Sequence, residues 1–245
     1  MNTETKSDNK ILGVIGGLGP MASAYFLHLV TDMTKADTDQ EHIEVIMHSC
    51  PQIPDRTAYI LDHTKENPFD KLAEVGKRLA DYGAQIIAMP CVTAHYFQAE
   101  LEEKVGVPII NAIDETSAYL KARGIHDAGI MATNGTVQSG IFERSLTEHG
   151  IHAHIPSEKM QEKVMQIIYG CVKAGKPIDE DMVQEVKADL VAQGSQVVLL
   201  GCTELSMIKR DLKMSEGFFD VMEMLAQVAV KNCGTLKEEW EELLS

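Results

Sequence analysis

Cys91 and Cys202 are the residues whose type and placement point most directly to chemistry. Cys91 closes "AQIIAMPC", an apolar run that reads as a buried strand, and "VTAH" after it reads as the opening of a helix. Cys202 closes "SQVVLLGC" and is followed by Thr203, Glu204 and Leu205. A single free cysteine is usually a small hydrophobe buried for packing. Here the two thiols occupy matched positions of an internal repeat. "LADYGAQIIAMPC" (residues 79–91) and "LVAQGSQVVLLGC" (residues 190–202) agree in the Leu, the Gly, the Gln, the apolar strand and the final Cys. "GVIGGLGPMASAYF" (residues 13–26) and "GIMATNGTVQSGIF" (residues 129–142) form a weaker echo at nearly the same offset.

Two thiols at equivalent places in two similar halves suit one reaction class, inversion at a carbon that bears a hydrogen. One sulfur removes the proton from one face and the other returns a proton to the opposite face. A free thiol ionises near pH ~8.5, and the start of a helix favours its thiolate. Two thiols facing one another titrate as a coupled pair. The backbone N–H groups of Val92, Thr93, Thr203 and Glu204 are placed to meet a substrate carboxylate and the charge that builds on it.

The elements that must position these groups alternate along the chain. Strand-like runs begin at Ile11, Ile43, Ala84, Val107, Asp127, Ile151 and Ser195. Amphipathic helical patterns lie between them, with Leu72, Val75, Leu79 and Tyr82 in one and Met182, Val186 and Leu190 in another. Apolar strands alternating with helices predict an α/β fold of two similar, pseudo-symmetric lobes, each a mostly parallel sheet flanked by helices. In such sheets ligands bind beyond the carboxyl ends of the strands, which places the active site in the cleft between the lobes.

Composition narrows the partners. With 22 Lys+Arg against 37 Asp+Glu the formal charge is −15, which argues against nucleic acid and against an anionic membrane surface. A polar opening and the lack of a membrane-length apolar run predict a cytoplasmic protein. Five irregularly spaced cysteines suit a reducing compartment without disulfides, and no zinc-type spacing is present. The glycines of "GVIGGLG" do not give the dinucleotide fingerprint, and the second strand ends in Ser49 and Cys50 instead of a ribose-binding acid. His95, one helical turn after Cys91, reads as a residue that holds the helix in place. Glu204 can orient Thr203 or cap its helix, Asp220 reads as an N-cap, and Cys50 follows a strand that can bring it to the cleft. The tail "KEEWEELLS" reads as an amphipathic helix packing through Trp240 and Leu243.

"GGLGPMAS", "SCPQIPDRT", "CVTAH" and "GCTEL", in this order and spacing, resemble the aspartate/glutamate racemases, and the likeness runs from about residue 11 to residue 230. The resemblance implies cofactor-independent racemisation of an acidic amino acid, with Cys91 and Cys202 as the acid/base pair. It places Leu18, Gln52, Thr93 and Thr203 near the substrate and suggests Arg56 and Lys163 as carboxylate partners, Arg being suited to a bidentate grip. It also implies a homodimer, and a C-terminal helix (222–245) that returns to complete the first lobe (1–115) beside a second lobe (116–221). One position departs from the pattern. The family's Cys-Asn-Thr is Cys-Val-Thr here, so Val92 removes a side-chain amide and leaves only its N–H. A changed substrate, a related isomerase or hydantoin racemase, and a binding protein that has lost turnover are the alternatives this opens.

Overall fold

The computed structural model describes residues 9–214 and 216–244; the polar opening (1–8), Ser215 and Ser245 lie outside the described residues. The first sheet is built from β1 (Leu12–Gly16), β2 (Val45–Ser49) and β3 (Ile86–Ala88), with helices α1 (Pro20–Met33), α2 (Arg56–Leu61), α3 (Phe69–Asp81), α4 (Gln98–Val105) and α5 (Ala112–Ala122) along the same stretch of chain. The second contains β4 (Asp127–Met131), β5 (His152–His154), β6 (Val197–Leu200) and β7 (Phe218–Asp220), with α6 (Asn134–Ser139), α7 (Ile141–Glu148), α8 (Glu158–Met165), α9 (Glu180–Ala192), α10 (Thr203–Leu212) and α11 (Val221–Cys233). Every strand pairing is parallel, which is why helical crossovers separate the strands.

The sequence repeat has a counterpart in topology. The sheet orders are β2-β1-β3 and β5-β4-β6-β7, so the three strands of the first sheet match β5-β4-β6 of the second in order. The run at residues 107–113, expected as a strand, supplies only a bridge from Ile109 to Ile87. Pro108 has no N–H to give a ladder, and Asn111 already caps α5 by accepting from Ile113 and Asp114. This bridge occupies in the first sheet the place that β7 holds in the second. Asp220, at the end of β7, caps α11 through Met222 just as Asn111 caps α5. The three-residue β7 lay below what periodicity can register, and its Asp220 alone was legible as a cap.

Burial follows the alternation expected for α/β layers. All five residues of β1 and all four of β6 are buried. On α3 the inward stripe is Leu72, Val75 and Leu79, whereas Tyr82 sits past the helix end and is exposed, a correction to the four-residue stripe. On α9 the buried face is Val183, Val186 and Leu190, with Met182 at its edge. Helix α11 is buried on nearly every side and packs on α1 and α5, so one core cluster joins Phe26 and Val30 to Leu225 and Val228. The helix expected over 222–245 stops at Cys233, and the tail continues as an extended strap with one 3-10 turn, Glu238–Trp240. Trp240 and Leu243 pack as expected, and Glu242 anchors the strap on α5 through Tyr119 and Arg123.

The junction between the sheets is tight and polar. Thr57 of α2 and Thr93, just after Cys91, meet Thr133 and Thr136 from the second lobe, with hydroxyl oxygens 2.9–3.3 Å apart. Helices α2 and α6 approach so closely there that a Cβ on Gly135 would lie 2.8 Å from the Thr57 Cα. Backbone cannot yield as a flexible side-chain end can. The substitution Gly135→Ala is expected to cost about 1–3 kcal/mol by overpacking. Denaturant titration of this variant should show that loss, and an unchanged midpoint would contradict the close approach.

Candidate active site

Both thiols sit where a parallel strand hands over to a helical turn. Cys91 precedes the 3-10 turn Val92–Phe97 and Cys202 precedes α10, each in extended backbone (φ −156°, ψ 100° and φ −147°, ψ 133°). Neither side chain caps its own turn. The amides of Ala94 and Leu205 already bond to the Cys91 and Cys202 carbonyls. The first-turn N–H groups of Val92, Thr93, Thr203 and Glu204 have no carbonyl one turn back to receive them. His95 bonds through Nδ1 to the Cys91 carbonyl at 3.2 Å, and burial lowers its pKa, so a neutral ring ties the turn to Cys91.

Cys91 and Cys202 line one small cleft between the lobes. Its free volume is about 10 Å³, room for about one water. Leu18, Arg56, Val92, Thr93, Thr203 and Glu204 line it too, together with Thr133, Tyr169 and Lys173. A second cavity of about 380 Å³ adjoins it, and Leu18, Arg56, Lys173 and Glu204 belong to both walls.

The charges around the two sulfurs are opposite in sign. Arg56 Nη2 lies 3.9 Å from Cys91 Sγ, and the guanidinium is held by the carbonyls of Ile53, Pro54 and Leu18. Burial opposes the Arg56 charge, yet the neighbouring Cys91 and Asp55 raise its pKa above the ordinary value. On the other side the Cys202 thiol donates to Glu204 Oε2 at 2.9 Å. Burial first, and then the Glu204 carboxylate, push the Cys202 pKa well above its usual range, against the smaller pull of Lys173 and the Glu204 amide. Lys173 Nζ stands 3.6 Å from Glu204 Oε1. Burial would lower the Lys173 pKa, but Glu204 leads the groups that raise it, so it remains a cation.

Not every expected residue reaches the cleft. Lys163 points to α9 and pairs with Glu185, so Lys173 is the lysine present. Gln52 is exposed and lies beside Cys50, 3.7 Å from its sulfur, away from the cleft wall. Cys50 is buried in the first lobe's core under Gly17, which needs its positive φ of 89° and its lack of a Cβ to pass the Cys50 backbone. Val92 turns its side chain into the apolar core, so the position offers the cleft backbone and hydrocarbon only. Tyr169 and Lys173 had no sequence signal. Tyr169 lies in the middle of a π-helical stretch, Gln166–Val172, that continues α8 and shifts the helical register, and Lys173 follows its last residue.

The family model for the Asp/Glu/hydantoin racemases matches residues 15–229. An aspartate racemase structure from Picrophilus torridus is 31% identical with a TM-score of 0.78, covering 94% of this chain and 97% of that one. The broad specificity amino-acid racemase RacX of Bacillus subtilis is 23% identical over 226 residues, 90% of this chain and 96% of its own length. An arylmalonate decarboxylase structure shares the fold at 12% identity, with a TM-score of 0.51 over 96% of this chain and 98% of that one. This chain belongs to the Asp/Glu/hydantoin racemase family. No helix among the described residues is long and apolar enough to cross a membrane.

The charge arrangement makes a direct prediction. In Glu204→Gln the carboxylate that opposes a Cys202 thiolate is gone, while burial persists. Peptide-resolved alkylation against pH should show Cys202 reacting at lower pH than in the parent, and coincident profiles would contradict the assigned role of Glu204.

Proposed function

We propose that this chain racemises an acidic amino acid, aspartate or glutamate, with Cys91 and Cys202 as the two acid/base groups. The observation that carries this reading is that both sulfurs border one cleft while facing charges of opposite sign. A thiolate at Cys91 is met by Arg56, and a proton on Cys202 is held by Glu204. Cys91 then takes the α-hydrogen as a proton, its electron pair passes into the substrate carboxylate system, and Cys202 delivers its proton to the opposite face. The reverse enantiomer uses the same groups with roles exchanged. The first-turn amides after each cysteine stabilise the negative charge as it develops. Both proton transfers are carried by sulfur, so the reaction needs no cofactor.

Arg56 has no carboxylate within ion-pair distance among the described residues, and Lys173 is the second cation of the cleft wall. These two favour a substrate with a second carboxylate. Val92 contributes no side-chain amide, so recognition at that point falls to backbone. The cleft must widen to admit an amino acid, and the adjoining cavity gives the route. Lys173 and Glu204 stand in the wall common to both spaces, and a substrate carboxylate that draws Lys173 away from Glu204 would open it.

Chiral chromatography of L- and D-aspartate and of L- and D-glutamate after incubation with the purified protein tests the proposal. Interconversion is expected with the parent, with a loss of about 10²–10⁴-fold in Cys91→Ser and in Cys202→Ser. Tight binding without interconversion would favour a binding protein, and full activity in either variant would overturn the two-thiol reading.

A further inference from the structure

We propose that Asp127, His152 and His154 form a binding site for one divalent transition metal ion of the zinc class. The site lies at the opposite end of the sheet from the cleft. Asp127 opens β4 and His152 opens β5, and the two are register partners in the parallel pair. His152 and His154 are two apart on one strand, so both imidazoles emerge on the same face. The topology therefore brings two nitrogen ligands and one carboxylate to one point at the edge of the sheet.

Without an ion the three groups hydrogen-bond to one another, and the same spacing lets one ion replace those contacts. His154 Nε2 is 2.9 Å from Asp127 Oδ1, His152 Nδ1 is 3.2 Å from His154 Nε2, and His152 Nδ1 is 3.7 Å from the same Asp127 oxygen. Zinc holds nitrogen and oxygen ligands at about 2.0–2.2 Å, and a tetrahedral ion of that radius keeps its ligands roughly 3.3–3.6 Å apart. A triangle with the observed sides has a circumscribed radius of about 1.9 Å, so an ion slightly above its plane reaches all three atoms at ordinary bond lengths.

The donor set is held on strands, and its support is present. Gln196 Oε1 accepts from the backbone N–H groups of His126 and Asp127, which fixes the start of β4. The His154 side chain is 11% exposed and those of Asp127 and His152 are 39% and 70% exposed, so the ion has an open approach and at least one position left for water. Strand β5 is an edge strand of three residues, a length at which pairing alone is weak. A metal bridging both strands would clamp it to β4.

The test uses the full untagged chain, freed of metal by a chelator and titrated with Co²⁺ by absorbance and with Zn²⁺ by calorimetry. One equivalent is expected, with visible cobalt bands, no thiolate-to-metal charge transfer, and a raised thermal midpoint. His154→Ala should weaken binding at least ~10-fold, as should His152→Asn, whose exposed position leaves the fold intact. Cys91→Ser combined with Cys202→Ser should leave the affinity unchanged. Absence of binding, undiminished binding in His152→Asn, or a thiolate charge-transfer band in place of nitrogen and oxygen ligation would each overturn the proposal.

Discussion

Burial sets the terms for the two sulfurs. In a cleft with room for about one water, charge on either sulfur is costly unless a cation or an amide stands against it. Arg56 supplies the cation at Cys91, and its guanidinium is fixed by three backbone carbonyls. Glu204 does the reverse at Cys202 by accepting its proton in a hydrogen bond. The surroundings of the two sulfurs are therefore unequal, a cation at one and a carboxylate at the other, which is the asymmetry the proposed one-base, one-acid reaction calls for. Lys173 keeps Glu204 from standing as an unpaired buried charge, and it does so from a wall that also borders the larger cavity.

The repeated topology is what delivers the two sulfurs to one place. β3 pairs with β1 as β6 pairs with β4, and each carries a cysteine into the turn that follows. Because these strands pair in parallel, both turns emerge at carboxyl ends, where first-turn amides have no carbonyl one turn back. Helices α5 and α11, launched from equivalent capped positions, pack on each other, and α11 also packs on α1. The threonine cluster and Gly135 then bring the lobes to close contact beside the cleft.

Much of this was legible in residue order. The match between residues 79–91 and 190–202 gave both cysteines and their shared cleft, and the alternation of runs gave the parallel sheets. What periodicity could not supply came from breaks in it. The π-helical stretch displaces the register after α8, and where the family resemblance suggested Lys163, Lys173 occupies the wall. Gly234, just past α11, ends a helix that the charged tail seemed to continue. Pro108 and Asn111 reduced an apolar run to a single bridge. The Asp127, His152 and His154 cluster was hidden for another reason: its members are 25 and 27 positions apart and meet only through strand pairing.

In the proposed reaction, protons are exchanged from two sides by two different groups. It is tested most directly by starting from a single enantiomer in deuterated water and reading isotope content in both enantiomers at early times. Two bases predict deuterium at the α-carbon of the newly formed enantiomer, while the unreacted pool remains protiated. Deuterium entering the unreacted enantiomer as fast as the product would mean one base serving both faces, and would contradict the roles given to Cys91 and Cys202.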